Sequence, residues 1–256
     1  ISLTKRGKHL GNDIPMCGVP HHSAENYLLT LIRKGFRVAV CEQLETPAEA
    51  KARGSKSVVK RGVVRLVTSG TLTEDSLLSA RESNYLCAFS ILRKSSAIAW
   101  VDVSTGDLHV QNCPQVSYGP MLAQLNPAEV LISDTNCDSF KDQTREVGTT
   151  LTSLSPASFD STSNTRRLCD FFKVQSLDGF GTFTRAEISA LGAIIDYLEI
   201  TQKGKLPALK LPIKENLEDF VQIDTSTRRN LELTHTLSGS KNGSLLDVID
   251  RTVTGP

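Results

Sequence analysis

The chain has 256 residues, 39% hydrophobic and 22% charged, which suits a folded protein with a real core, one large or two modest domains. Its apolar runs fall far short of the roughly 20 residues that span a bilayer, so no membrane-spanning helix is expected. The net charge is +1, but residues 1–68 hold twelve Lys/Arg against five Asp/Glu, a surplus of seven, and the remainder is acidic, a split that assigns a polyanion partner to the first part and a different task to the second.

In chain order, Ile1 opens the sequence without a basic n-region and apolar h-region. No signal peptide is expected, and a piece of a longer protein is. Ser23 is positioned to cap a helix over 24–34, which puts Tyr27, Leu28, Leu31 and Ile32 on one face and stops at Gly35. Residues 36–43 (FRVAVCEQ) alternate as a strand. Pro47 opens a short helix to about Arg53, and 58–68 is a second strand. This small α/β unit is followed by a polar linker, 69–84, with one amphipathic turn at Leu77 and Leu78.

Three strands are expected next, 85–92, 96–103 and 107–111, the last two joined at Ser104-Thr105-Gly106 as a hairpin. Trp100 reads as core. A helix near 121–125, a buried strand at 129–133, a loop rich in Asp, Ser and Asn, a strand near 149–154 and a helix near 164–172 come after. A longer helix, 185–201, carries apolar residues at Ile188, Leu191, Ile194, Ile195 and Leu198. Three antiparallel strands followed by alternating helices and strands is the ribonuclease-H-like order. Beyond Pro212, a capped helix is expected over 224–235, a turn at 239–243 and another helix over 244–253. Six cysteines, at 17, 41, 87, 113, 137 and 169, include no CxxC pair. They read as small apolar residues in a reducing, cytoplasmic compartment rather than as metal ligands.

Several strings, in collinear order, resemble the MutS family of DNA mismatch sensors: LTKRG (3–7), DIPMCGVPHHSAENYL (13–28), VAVCEQ (38–43), VVRLVTSGT (63–71), STRRNLEL (226–233) and NGSLLDVIDRTVT (242–254). The resemblance implies an α/β organisation. Residues 1–68 would be the C-terminal half of a mismatch-binding domain and 69–84 a linker. Residues 85–212 would be a ribonuclease-H-like connector without nuclease activity, and 213–256 the start of an α-helical lever. It also implies partners: duplex DNA with a mismatch or small loop, a MutL-type protein, and a second copy of the intact protein. The family's Phe-x-Glu wedge and its P-loop domain, which binds ATP and Mg, are expected outside this chain; no GxxxxGK[ST] occurs in it. On that basis the chain itself is not expected to be an enzyme.

The candidate DNA-binding residues are Lys5, Arg6, Met16, Gly18, Pro20, His21 and Arg61. Lys5 and Arg6 belong to a basic cluster read as a glycine-containing loop, where cations and backbone N–H groups can approach phosphates; a solvated turn is the plainer alternative. In IPMCGVP (14–20) two prolines fix φ and Gly18 removes a side chain, which makes a low-profile loop. Met16 there could press on sugars or bases, as apolar side chains do in minor-groove binders, or pack inside with Val19. His21 stands where the family favours an aromatic or aliphatic residue; with Cys17 and His22 it makes a poor metal site. Lys51, Arg53, Lys56, Lys60, Arg61 and Arg65 offer a second cationic stretch, with Arg61 and Arg65 expected on one strand face; a solubilising surface is the alternative. Ser69 replaces the family's usual proline.

Two other functions compete. A metal nuclease would use Asp102 with Asp107 and Asp134, provided these carboxylates converge. A pure interaction module would use exposed acids such as Glu129, Asp134 and Asp138.

Overall fold

The computed structural model describes residues 3–54, 57–73, 83–203, 206–216, 221 and 223–252. The first unit opens with a hairpin, β1 (Leu3–His9) and β2 (Asn12–Cys17), followed by α1 (Ala24–Arg33), β3 (Val38–Gln43), α2 (Pro47–Arg53) and β4 (Arg61–Val67). The expected strand over 58–68 thus begins later, at Arg61. The segment read as a basic loop is strand β1, a correction with a local cause. Leu10 and Gly11 both have positive φ, 50° and 83°, and a two-residue turn of that kind closes a right-twisted hairpin. Gly11 was the signal, obscured because Leu rather than Asn or Asp precedes it.

Helix α1 forms as expected, but Ser23 makes no side-chain cap bond; a 3-10 turn, His21–Ser23, feeds into the helix instead. Helix α2 starts at Pro47 within a capping box: Glu49 N–H donates to Thr46 Oγ1, and Thr46 N–H donates to Glu49 Oε2. Strands β3 and β4 pair antiparallel, and Ile32, Val67 and Leu72 form a small core beneath them with Leu28, Leu29, Val38 and Val40.

The second unit comprises β5 (Tyr85–Leu92), β6 (Ser95–Asp102), β7 (Leu108–Asn112), α3 (Tyr118–Leu125), β8 (Glu129–Ser133), α4 (Cys137–Val147), β9 (Thr150–Leu154), α5 (Ser161–Phe172), α6 (Arg185–Gln202) and β10 (Ile213–Glu215). Its sheet runs β10-β7-β6-β5-β8-β9. Strands β5, β6 and β7 are antiparallel neighbours, whereas β8 lies parallel to β5 and β9 parallel to β8. This is the ribonuclease-H-like arrangement expected from the order of elements. Strand β10 joins it parallel to β7, so the sheet continues past residue 212. The stretch read as an Asp/Ser/Asn loop is instead a 3-10 turn and α4, whose Phe140 and Thr144 are buried; Ser and Asn at the start masked a helix they favour only at its first turn. The turn expected near Leu77 and Leu78 lies outside the described residues.

Period-2 alternation gives the sheet two dry faces. Leu86 and Ala88 of β5, Ala99 and Val101 of β6 and Val110 of β7 point to α6 and its Leu191, Ile194, Ile195 and Leu198. Cys87, Phe89, Ile98 and Trp100 point the other way, onto Tyr118, Met121, Leu122 and Phe140. Each fully buried Leu, Ile or Phe contributes about 1.5–3 kcal/mol of transfer free energy. Trp100 is core as expected, with its ring stacked on His109. Helix α6 is held at its start by a Thr184–Glu187 capping box.

Beyond β10 come α7 (Thr225–Asn230), with Asp224 as its cap, and α8 (Leu245–Ile249), capped by Ser244. Both are shorter than expected. Leu245 N–H donates to the Glu232 carbonyl and Leu246 N–H to the Leu233 carbonyl, which ties the start of α8 to the segment just after α7.

Candidate nucleic-acid interface

Every residue of β1 and β2 is exposed, so the hairpin projects from the small unit as a ribbon with two solvent faces. Thr4 pairs with Met16 and Lys5 with Pro15. Adjacent residues point to opposite faces, so Lys5 and Met16 are on opposite sides. The register shifts between Lys5 and Lys8, which absorbs Arg6 and Gly7 as a bulge and returns Lys8 to the Lys5 side, opposite Asp13. Gly7 has φ +71° and provides that bend. Lys5 Nζ pairs with Asp13 Oδ2 at 2.6 Å while remaining 74% exposed. Thr4 Oγ1 donates to the Met16 carbonyl at 2.9 Å, holding the other face.

Met16 and Val19 are each 38% exposed and Ile14 44%. Met16 is therefore not sealed in the interior, and Val19 does not disappear under α1. A Cβ on Gly18 would meet nothing within 4 Å, which leaves open space beside that backbone. Pro20 carries the chain into the 3-10 turn, its carbonyl accepting the Ser23 amide at 3.0 Å. His21 and His22 are exposed on that turn; the His21 carbonyl accepts the Ala24 amide, a backbone role at the start of α1.

The second cationic stretch is divided by the fold. Val40 pairs with Arg65 but Cys41 with Val63, so Val64 is an extra residue on β4. The bulge reverses the alternation. Arg61 stays with Val63 on the exposed face, and Arg65 turns to the side of Val38, Val40 and buried Val67. The expected shared face of Arg61 and Arg65 is thus overturned. Arg53 pairs with Glu45, which also accepts the Lys60 amide at 2.6 Å. That backbone bond, ahead of the Arg53 side chain, holds the Glu45 carboxyl below its usual range. Arg53 therefore fastens the loop between α2 and β4, and Arg61 is the exposed cation of β4.

The three candidate nuclease carboxylates do not converge. Asp102 Oδ1 accepts the Ser104 amide and hydroxyl at 2.9 and 2.6 Å, and Oδ2 accepts the Asn84 amide at 3.2 Å. Asp107 pairs with Lys210 at 2.7 Å. Asp102 is opposite Tyr85 at the start of β5, whereas Asp134 follows the far end of β8, about 20 Å away at 3.3 Å per residue. Among the described residues no group of three or more His, Cys, Asp or Glu is placed to hold a metal ion. Glu129, expected among the exposed acids, is fully buried. It heads a cross-unit network that sequence reasoning missed; a lone Glu opening an apolar strand was its only trace.

The fold defines a two-part class: a small basic α/β unit carrying an exposed hairpin, joined to a ribonuclease-H-like sheet. Comparison with known proteins assigns both parts. The chain belongs to the MutS family: residues 1–76 match MutS domain I and residues 84–210 match MutS domain II. It is 64% identical to the DNA mismatch repair protein MutS of Ruegeria sp. (strain TM1040), over 99% of this chain and 29% of that protein. Its identity to the proteins of the same name from Roseobacter denitrificans and Paracoccus denitrificans is 60% in each case, over the same shares. The chain thus spans 29% of the length of these relatives. The given sequence contains no GxxxxGK[ST] string.

Proposed function

We propose that this chain serves DNA mismatch repair by gripping the backbone of a duplex that carries a mismatch or small loop, and by linking that grip to the rest of a longer MutS-type protein. The observation that supports this best is the hairpin: a free ribbon with Lys5 and Lys8 on one face and Ile14 and Met16 on the other. Cations on such a ribbon reach phosphates, and an apolar edge can rest against sugars. On this reading residues 1–68 belong to a mismatch-binding domain, 69–84 are the linker, the connector follows with its sheet running through β10, and the remainder opens the lever. Lys5, Arg6, Met16, Gly18, Pro20, His21 and Arg61 are the residues that meet DNA. Homodimer formation, a MutL-type partner and ATP-dependent signalling belong to the whole protein, where nucleotide acts from a distant domain as a coupling free energy.

Fluorescence anisotropy with matched and G·T duplexes at low salt tests the grip. The chain should bind both weakly and alike, because the wedge used by the family is expected outside it. Reversing Lys5 and Arg6 to Glu should weaken both equally and flatten the log–log salt slope, by about 0.9 for each phosphate no longer neutralised. No binding at all, or a loss confined to the mismatched duplex, would overturn the assignment.

A further inference from the structure

We infer that Glu129 fixes how the basic unit sits on the connector, as a positioning residue for the relay proposed above, on which this inference rests. Glu129 opens β8 and is fully buried. Its Oε2 accepts the Gly70 amide at 2.9 Å. Its Oε1 accepts the hydroxyls of Thr152 on β9, at 2.6 Å, and Tyr197 on α6, at 2.8 Å. Gly70 lies in the 3-10 turn Ser69–Thr71, just after β4, where Thr68 and Thr71 bond each other. Arg37, between α1 and β3, donates to Thr152 Oγ1 at 3.2 Å, so a cation of the basic unit enters the same network.

A carboxylate only accepts hydrogen bonds, and all three direct partners donate to it. Burying such a group without donors is costly. Here two donors come from the connector and the third from the turn that directly follows β4 of the basic unit, so the group is fully satisfied only when that turn is docked. The fit is also close. A Cβ on Gly70 would come within 2.8 Å of Glu129 Cβ and 2.9 Å of Leu86 Cδ1. Elsewhere β4 meets α6 beside the apolar patch of Val67 and Leu72, and apolar contact is non-directional. The Gly70–Glu129 bond adds direction. Burial, with the neighbouring Glu129 next in effect, pushes the Tyr197 hydroxyl well up and keeps it a donor.

Glu129→Gln in the 256-residue chain tests this. The glutamine oxygen can still accept from Thr152 and Tyr197, but its amide faces the Gly70 N–H donor to donor. Residual dipolar couplings fitted separately to residues 3–73 and 83–203 should give one alignment tensor for the natural chain and two for the variant. The Gly70 amide should exchange at least about tenfold faster, the effect of removing one buried charge-assisted bond, while β8 and β9 keep their protection. Ser90→Ala, which removes the buried Ser90–Ser189 hydrogen bond internal to the connector, should leave the tensor shared. If Glu129→Gln opens the connector itself, Gly70→Ala tests the joint from the other side and should split the tensor with β8 and β9 protected. A tensor shared in Gly70→Ala, a tensor already split in the natural chain, or Ser90→Ala splitting it equally would overturn the inference. Failure to bind any duplex, with the tensor behaving as stated, would sink the DNA reading and leave the joint standing.

Discussion

Lys5 and Met16 lie on opposite faces of one exposed hairpin, so they cannot touch the same surface of a straight duplex. Lys5 is also not a free cation, since Asp13 holds its ammonium from the adjoining strand. Asp13→Asn should therefore tighten duplex binding about two- to fivefold near 50 mM salt and steepen the salt slope by just under one, as a released lysine displaces one more counterion. Met16→Ala should change affinity with no change of slope. Anisotropy titrations at four salt concentrations measure both. A slope that moves with Met16 and not with Asp13 would place the phosphates on the other face.

Much of the connector was legible because its chemistry is periodic. The strand 85–92 and the helix 185–201 carry long apolar patterns, and their order alone indicates the sheet. The hairpin was not legible, since neither strand buries a face to impose alternation and Leu10 hides the turn. Simple alternation misplaces Arg61 and Arg65 because the bulge at Val64 arises from pairing with β3, a tertiary fact. Glu129 resembles a surface acid in sequence because its donors lie 59, 23 and 68 residues away. Local windows carry no record of such partners.

Gly192 lies directly beneath Asn164 where α6 crosses α5. A Cβ there would overlap Asn164 Cβ and Cγ. Asn164 cannot retreat cheaply: it is fully buried, donates to the Ser158 and Ser189 carbonyls, and accepts from Arg167. Gly192→Ala should therefore destabilise the chain by about 1–3 kcal/mol, the range for overpacking, despite alanine's better helix propensity. Urea melts of Gly192→Ala, Asn164→Ala and the double variant form a cycle, in which the double should cost less than the sum of the singles. Strict additivity would mean that the two positions do not meet.

Asp102 organises the β6–β7 turn rather than a metal. Asp102→Asn keeps one acceptor and loses the other, so a cost of about 1 kcal/mol is expected from the weakened bonds to Ser104 and Asn84. Hydrolysis of labelled duplex in Mg²⁺ or Mn²⁺ should be at the buffer background for the natural chain and the variant alike. Cleavage by the natural chain that the substitution abolishes would restore the nuclease reading.

Acid should loosen this protein through its helix caps. Asp160, capping α5, is held below the usual carboxylate range first by the Ser163 hydroxyl and then by the Ser163 amide. Asp224, capping α7, is lowered in the same way by the Thr227 hydroxyl and then its amide. Asp107 is lowered chiefly by the Lys210 ammonium, and Glu49 by the Thr46 amide. A carboxyl whose folded pKa lies below its unfolded value contributes stability above the unfolded value and loses it as pH falls through the folded one. The three caps and the Asp107–Lys210 pair should therefore be at full strength at neutral pH and fade as pH drops below the ordinary carboxylate range. Asparagine is as good a cap as aspartate but carries no charge. Asp160→Asn should accordingly melt lower than the natural chain at pH 7, with a gap that narrows as pH falls through the lowered pKa of Asp160. Thermal melts across that range read the difference. A gap that persists at the acid end would trace the effect to cap geometry instead of charge.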